Sequence, residues 1–256
     1  MRIVVKVGTS TLAHSTGRLN IRHVEELVKV LSDIKNAGHE VVLVSSGAIG
    51  MGVGKLNLPG RPSDIPTKQA AAAVGQCELM YTYDRLFSEY NHTVAQILIT
   101  AADVNHGERH ENFRNTLNRL LELGVLPIIN ENDSIATEEI VIGDNDTLAA
   151  MVAVSANAEL LILLSDIDGL YTADPHKDPD AKLIETVTEV DEGVMALGGG
   201  KGSSLGTGGM KTKLVAAKIA TDAGCDMVIA NGSVPMSLYD LAEGKPVGTR
   251  FVAKKG

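Results

Sequence analysis

The chain has no tryptophan, and only three phenylalanines and five tyrosines stand among its 256 residues. Binding of single-stranded nucleic acid by base stacking draws on aromatic faces, so this scarcity argues against it. Positive charge is also in deficit. Lys and Arg number 23 against 32 Asp and Glu, and the net charge of −9 argues against a nucleic-acid surface. The two cysteines, Cys77 and Cys225, show neither metal-ligand spacing nor disulfide density, which suits a reducing cytoplasm. No run is long and apolar enough to span a bilayer, and Met1-Arg2 leads straight into a strand-like segment rather than a signal peptide. A cytoplasmic protein is expected. Internal repeats and Pro- or Ser-rich linkers are absent too, so the length reads as a single α/β domain.

What is present alternates between two patterns. Short, near-continuous apolar runs mark strands at Ile3–Val7, Val41–Val44, Thr93–Thr100, Val125–Asn130, Leu160–Ser165 and Met227–Ala230. Between them lie helix-like segments at Asn20–Asn36, Thr67–Tyr90, Glu108–Leu123, Asp144–Ala158 and Met210–Ala223. Pro59–Pro66 reads as a loop and Glu138–Ile142 as half of a hairpin. Apolar strands alternating with helices predict a mostly parallel central sheet covered on both faces, a three-layer αβα sandwich.

Several strands end in polar or glycine residues: Lys6-Val7-Gly8-Thr9-Ser10, Ser45-Ser46-Gly47, Asn130-Glu131-Asn132-Asp133 and Ser165-Asp166. Ligands of open α/β sheets sit at the carboxyl ends of strands, so these endings should line one crevice. Lys6, inside an apolar strand, is costly unless paired or aimed at a ligand, and the turn after it favours an anion. Ser45–Gly50 runs into a Gly50-x-Gly52-x-Gly54 spacing that suits either an anion-binding turn or a tight strand-to-helix turn. Asn130–Asp133 and Gly143–Asp146 gather carboxylates and amides, which also serve turns and helix caps; as a metal cage the cluster lacks EF-hand spacing and histidine. No metal ligand is assigned.

The glycine-dense stretch Gly198–Lys213 ends at the start of a helix and carries Lys201, Lys211 and Lys213. Unpaired N–H groups at a helix start, glycines and lysines together make an anion cradle, although the spacing is not that of a P-loop. Gly198–Ser204 reads as a mobile loop. Apart from His106 and His110, the histidines lie away from these endings, and no Ser-His-Asp arrangement is apparent. Lysines, anion-binding turns and no base suit phosphoryl transfer to an acceptor that is already ionised, such as a carboxylate with a pKa of about 4.3. A Rossmann dehydrogenase ranks lower, since Gly8 lacks a following GxxG and no acidic ribose partner is apparent.

Six segments in order resemble the amino-acid-kinase family: VVKVGTS (Val4–Ser10), VSSGAIG (Val44–Gly50), INENDS (Ile129–Ser134), GDNDTLAA (Gly143–Ala150), LLSDIDGLYTADP (Leu163–Pro175) and GTGGMKTK (Gly206–Lys213). Acetylglutamate kinases and aspartokinases usually carry Gly-Gly where this chain has Gly8-Thr9, which, with SSGAIG, favours the glutamate-phosphorylating branch. That resemblance implies ATP with Mg²⁺ as cosubstrate and L-glutamate as acceptor, in the first step of proline synthesis. It implies Lys6 and Lys213 on the moving phosphoryl group, with Asp146 orienting them. Ser46, Gly47, Asp133 and Asn145 would bind glutamate, supported by Asn130 and Asp144. Lys6, Ser165, Asp166 and the run Thr207, Gly208, Gly209, Met210, Lys211, Thr212 and Lys213 would hold ATP, so that the part from about residue 160 onward is the nucleotide side. A homo-oligomer (dimer or tetramer) and feedback inhibition by L-proline are further expectations from the resemblance. With Lys254-Lys255-Gly256 coming right after the kinase segment, a short form lacking the C-terminal PUA module common in the family is expected. Kinases of acetylglutamate or aspartate, or a non-catalytic nucleotide-binding protein of the same fold, are the alternatives.

Overall fold

The computed structural model describes residues 1–14, 18–105, 107–136, 145–199 and 209–254. Within them the strands are β1 (Arg2–Val7), β2 (Glu40–Ser45), β3 (Val94–Ile99), β4 (Leu126–Glu131), β5 (Leu160–Ser165), β6 (Thr186–Val187), β7 (Asp226–Asn231) and β8 (Thr249–Phe251). They form one sheet in the order β3-β4-β2-β1-β5-β7-β8-β6. All its pairings are parallel except that of β8 with β7. The six strands read from the sequence are all there, whereas β6 and β8 were not anticipated. The expected half-hairpin at Glu138–Ile142 lies outside the described residues, as do Asp144, Thr207 and Gly208.

The helices are α1 (Thr9–Leu12), α2 (Ile21–Asn36), α3 (Ala48–Lys55), α4 (Ile65–Ser88), α5 (Ala101–Asn105), α6 (Glu108–Glu122), α7 (Asn145–Ser155), α8 (Glu192–Leu197), α9 (Met210–Asp222) and α10 (Ser237–Ala242). The loop expected over Pro59–Pro66 is shorter than that. Asp64 caps α4 by accepting from the Thr67 N–H at 2.9 Å, which places Pro66 in the first turn, where its missing N–H has no helical partner to lose. Among the described residues, no helix is long and apolar enough to cross a membrane.

Alternate strand residues feed two separate cores. Val4, Val44, Ile129 and Leu163 pack with Leu117 of α6, Leu148 of α7 and Leu214 of α9. Ile3, Val5, Leu43 and Ile128 pack with Leu31 of α2, Phe87 of α4 and Leu238 of α10. This is the three-layer αβα arrangement, and its period of two decides where Lys6 goes: the same face as Val4, toward α7. Lys6 is in register with Val44 on one side and Leu163 on the other, and these align with Ile129 and Ile229 in turn. Gly8, Ser46, Asn130, Ser165 and Asn231 therefore emerge together along one edge.

Glycine matters most where α3 crosses α4. A Cβ on Gly52 would lie 1.8 Å from the Ala71 carbonyl oxygen, and one on Gly75 would lie 1.8 Å from that of Ala48. The glycine at 52 thus permits helix contact at backbone distance, a role outside both readings of the Gly50-x-Gly52-x-Gly54 spacing. Gly75→Ala is expected to destabilise the fold by about 2–3 kcal/mol or more, the upper range for overpacking. Gly60→Ala, where nothing lies within 4 Å of the added methyl, should stay within about 0.5 kcal/mol. Urea denaturation of the two variants checks both.

Candidate active site

Two lysines from opposite ends of the chain meet one carboxylate. Asp146, in the first turn of α7, is fully buried. Lys6 Nζ lies 2.6 Å from its Oδ1 and Lys213 Nζ lies 2.9 Å from its Oδ2, and both lysines are buried as well. Burial pushes the Asp146 carboxyl up, but the Lys6 and Lys213 ammoniums more than reverse this and hold it below the ordinary carboxylate range. The trio keeps one net positive charge in a place where charge is costly.

The surroundings of the two lysines suit an anion. Gly8 faces the Lys6 ammonium, and a side chain there would begin 3.6 Å from Nζ. Helix α9 opens on Gly209 with no side-chain cap, so the N–H groups of its first turn and its partial positive charge face the same region. Thr212 Oγ1 donates to the Gly209 carbonyl at 2.7 Å and closes that turn. Lys211 is exposed, outside the paired cluster. At the end of β5, Ser165 is buried and its hydroxyl donates to the exposed Asp166 at 3.2 Å.

On the other side of Asp146, a chain of amides runs away from the lysines. Asn145 Nδ2 donates to Ser46 Oγ and to Asn130 Oδ1, both at 2.9 Å. Asn130 Nδ2 donates to Gln76 Oε1 at 2.9 Å, and Gln76 Nε2 donates to Gln96 Oε1 at 3.0 Å. Ser46 itself leads into Gly47, whose φ of 108° lets the strand turn into α3. Three residues read from the sequence as substrate contacts or supports, Ser46, Asn130 and Asn145, are thus joined directly. Gln76 and Gln96 were missed; the available signal was of the kind that marked Lys6, a polar residue inside an apolar strand (VAQILI) and another in an alanine-rich helix.

Beside this chain lies a cavity of about 420 Å³ lined in part by Ala48, Gln76, Gln96, Glu131 and Asp133. Burial pushes the Asp133 carboxyl up to about 6, against the pull of Arg61. Asn132, by contrast, is a turn residue: its side chain accepts from Ser134 Oγ and its carbonyl from the Ile135 N–H. His110 is engaged with Ser155 at 3.1 Å. Among the described residues, no three His, Cys, Asp or Glu side chains are grouped to hold a metal ion.

A lysine pair around a buried carboxylate, at the strand ends of an αβα sandwich, defines a phosphoryl-transfer type of site. The chain belongs to the amino acid kinase family, whose model matches residues 1–231. It is 52% identical over 259 residues to a glutamate 5-kinase of Clostridium perfringens, an alignment covering 100% of this chain and 96% of the relative. The glutamate 5-kinase of Clostridium tetani is 54% identical, with coverage of 99% and 95%. That of Caldanaerobacter subterraneus is 51% identical, and there the alignment takes in 68% of the relative. Among solved structures, a carbamate kinase from Giardia lamblia superposes with a TM-score of 0.69 at 18% identity, covering 99% of this chain and 98% of that one. A UMP kinase from Bacillus anthracis gives 0.67 at 16% identity, covering 99% and 96%. Both share the fold.

Asp146→Asn removes the carboxylate that Lys6 and Lys213 share. Loss of about 3–5 kcal/mol of stability is expected, the scale for stripping one partner from a buried ion pair. Saturating ATP should restore part of it, because phosphate oxygens supply the missing negative charge. Thermal unfolding with and without nucleotide measures both effects.

Proposed function

We propose that the chain transfers the γ-phosphoryl group of ATP to the side-chain carboxylate of L-glutamate, releasing ADP and L-glutamyl 5-phosphate, the first step of proline biosynthesis. The observation that carries this reading is the buried Lys6–Asp146–Lys213 trio, joined through Asn145, the residue before Asp146, to the polar side chains of Ser46 and Asn130. Glutamate 5-kinases about half identical along nearly their whole length supply the substrate.

The chemistry asks little of the protein beyond placement and charge. The attacking carboxylate is ionised at neutral pH, so no general base is needed. An O–P bond forms on the carboxylate as the bond to the β-phosphate oxygen breaks, and ADP carries away the electron pair. Negative charge spread over the moving group's oxygens would be met by Lys6 and Lys213, held apart and aimed by Asp146. The N-terminal N–H groups of α9 take the nucleotide phosphates. Ser165, Asp166, Met210 and Thr212, with Thr207, Gly208 and Lys211, complete the nucleotide side. A magnesium ion would enter on the triphosphate and neutralise part of its charge; the described residues offer no cage of their own for it.

Glutamate is held by its other end. Ser46 and the start of α3 at Gly47 receive the α-carboxylate, while Asp133 and Asn145 accept from the α-ammonium. Asn130 supports Asn145, and Asp144 completes this wall. The side-chain carboxylate then lies toward Lys6. The part of the chain before about residue 160 carries the amino acid and the part after it carries the nucleotide.

Lys213→Ala should lower kcat by roughly 10²–10³-fold, the scale for removing one transition-state stabiliser. A change confined to KM would contradict the role given to it. In a coupled assay over glutamate, N-acetylglutamate, aspartate and carbamate, turnover should be confined to glutamate, and turnover on another acid without glutamate would overturn the reading. Asp133 must be ionised to hold an ammonium, so kcat/KM for glutamate should fall as pH drops below about 6. Asp133→Asn should abolish that limb. It should also raise the melting temperature at pH 7: a carboxyl whose pKa is higher folded than unfolded costs stability as pH rises between those two values, and the cost persists above both.

A further inference from the structure

The amide chain beside the trio has a sense, and one backbone group sets it. The Glu131 N–H donates to Asn130 Oδ1 at 2.9 Å, and a backbone N–H can only donate. Asn130 must therefore turn its Nδ2 to Gln76, whose facing atom must be Oε1, and Gln76 must in turn present Nε2 to Gln96. Running the other way, the atom of Asn145 on Asn130 Oδ1 must be Nδ2, and the same nitrogen reaches Ser46 Oγ. Both hydrogens of Asn145 are then spent, so that side chain offers a ligand only its carbonyl oxygen. Ser46, already accepting, keeps its own hydrogen to donate.

We propose that Gln76 is a specificity-determining positioning residue: by taking the Asn130 amide it fixes an acceptor at Asn145 and a donor at Ser46, a pattern that admits a free α-ammonium with its carboxylate and rejects an N-acylated amine. This rests on the reading above that Ser46, Asn145 and Asp133 hold the amino acid. An acylated nitrogen carries one hydrogen and no charge, so it answers poorly to two acceptors, Asn145 Oδ1 and the Asp133 carboxylate. Asn130 is buried, so an Asn130 amide that loses Gln76 must find another partner, either by rotating or from water in the cavity that Gln76 lines. Rotation of Asn130 would release Asn145, and with it the polarity of the site. Gln96 is exposed at the outer end and is free to reorient.

The test is a comparison of Gln76→Met, Gln76→Glu and Asn145→Ala, with Gln76→Asn standing in should the methionine variant not fold, and with urea denaturation reporting the folded fraction. Gln76→Met should raise KM for L-glutamate about tenfold, with kcat within threefold and KM for ATP within twofold of the parent. Its preference for glutamate over N-acetylglutamate in kcat/KM should fall by a similar factor. Gln76→Glu retains an acceptor for Asn130 and should fall between, with KM up about two- to threefold as Gln96 turns its amide. Asn145→Ala should raise the glutamate KM on its own, and adding Gln76→Met to it should cost no further affinity, since both act through one chain. Equal effects of Met and Glu at 76, additive losses in the double variant, or a fall in kcat without a change in KM would overturn the proposal. If Asn145→Ala leaves the glutamate KM untouched, the reading of the amino-acid site itself fails and the proposal falls with it. If only the position-76 variants leave that KM untouched, the proposal falls alone.

Discussion

A carboxylate buried between two ammoniums is the constraint around which the remainder of the site is arranged. Asp146 belongs to α7, Lys6 to β1 and Lys213 to α9, so the three charges tie together the middle, beginning and end of the fold. None could stand alone at such burial. Asp146 is kept ionised by the pair, and the pair is kept apart by Asp146. Gly8 and the start of α9 at Gly209 lie beside the two lysines, and a phosphoryl group arriving there would meet both ammoniums.

Helix α7 begins on two residues with opposite duties. Asn145 turns toward the amides and Ser46, and Asp146 toward the lysines. Being consecutive, their Cα atoms are about 3.8 Å apart. The neutral, directional half of the site and the charged half are thereby fixed relative to each other by covalent geometry rather than by packing. Such a joint suits a reaction in which an acceptor oxygen and a phosphorus must meet at bonding distance.

Much of this was legible in the sequence, for identifiable reasons. Lys6 stood out because charge inside an apolar strand requires a partner, and the period of two sent it to the face that α7 covers. Ser46 and Asn130 stood out because strand ends on one edge collect ligands, and Asn145 because Gly143–Asp146 gathers carboxylates and amides ahead of a helix. Gln76 and Gln96 did not, because amides inside a helix and a strand carry no spacing rule; their partners are 54 and 20 residues away and appear only on folding. The helix contact at Gly52 was not legible, because a glycine that makes room for another helix looks, in one dimension, like one that serves a turn or a ligand. Strands β6 and β8, two and three residues long, are too short to show a pattern, and Pro66 was placed in a loop because a proline one residue inside a helix reads like one outside it.

The crossing of α3 and α4 also says how the site can move. Where backbone meets backbone, with Gly52 against Ala71 and Gly75 against Ala48, there is no rotamer to readjust and no soft layer to shear. The two helices must swing as a single lever. Ser46 and Gly47 lead into one arm and Gln76 rides on the other, so opening or closing of the cavity against β3 and β4 would carry the hydroxyl and the amide together. The amino-acid end of the site would thus change its distance from the sheet while keeping its own pattern of donors and acceptors intact.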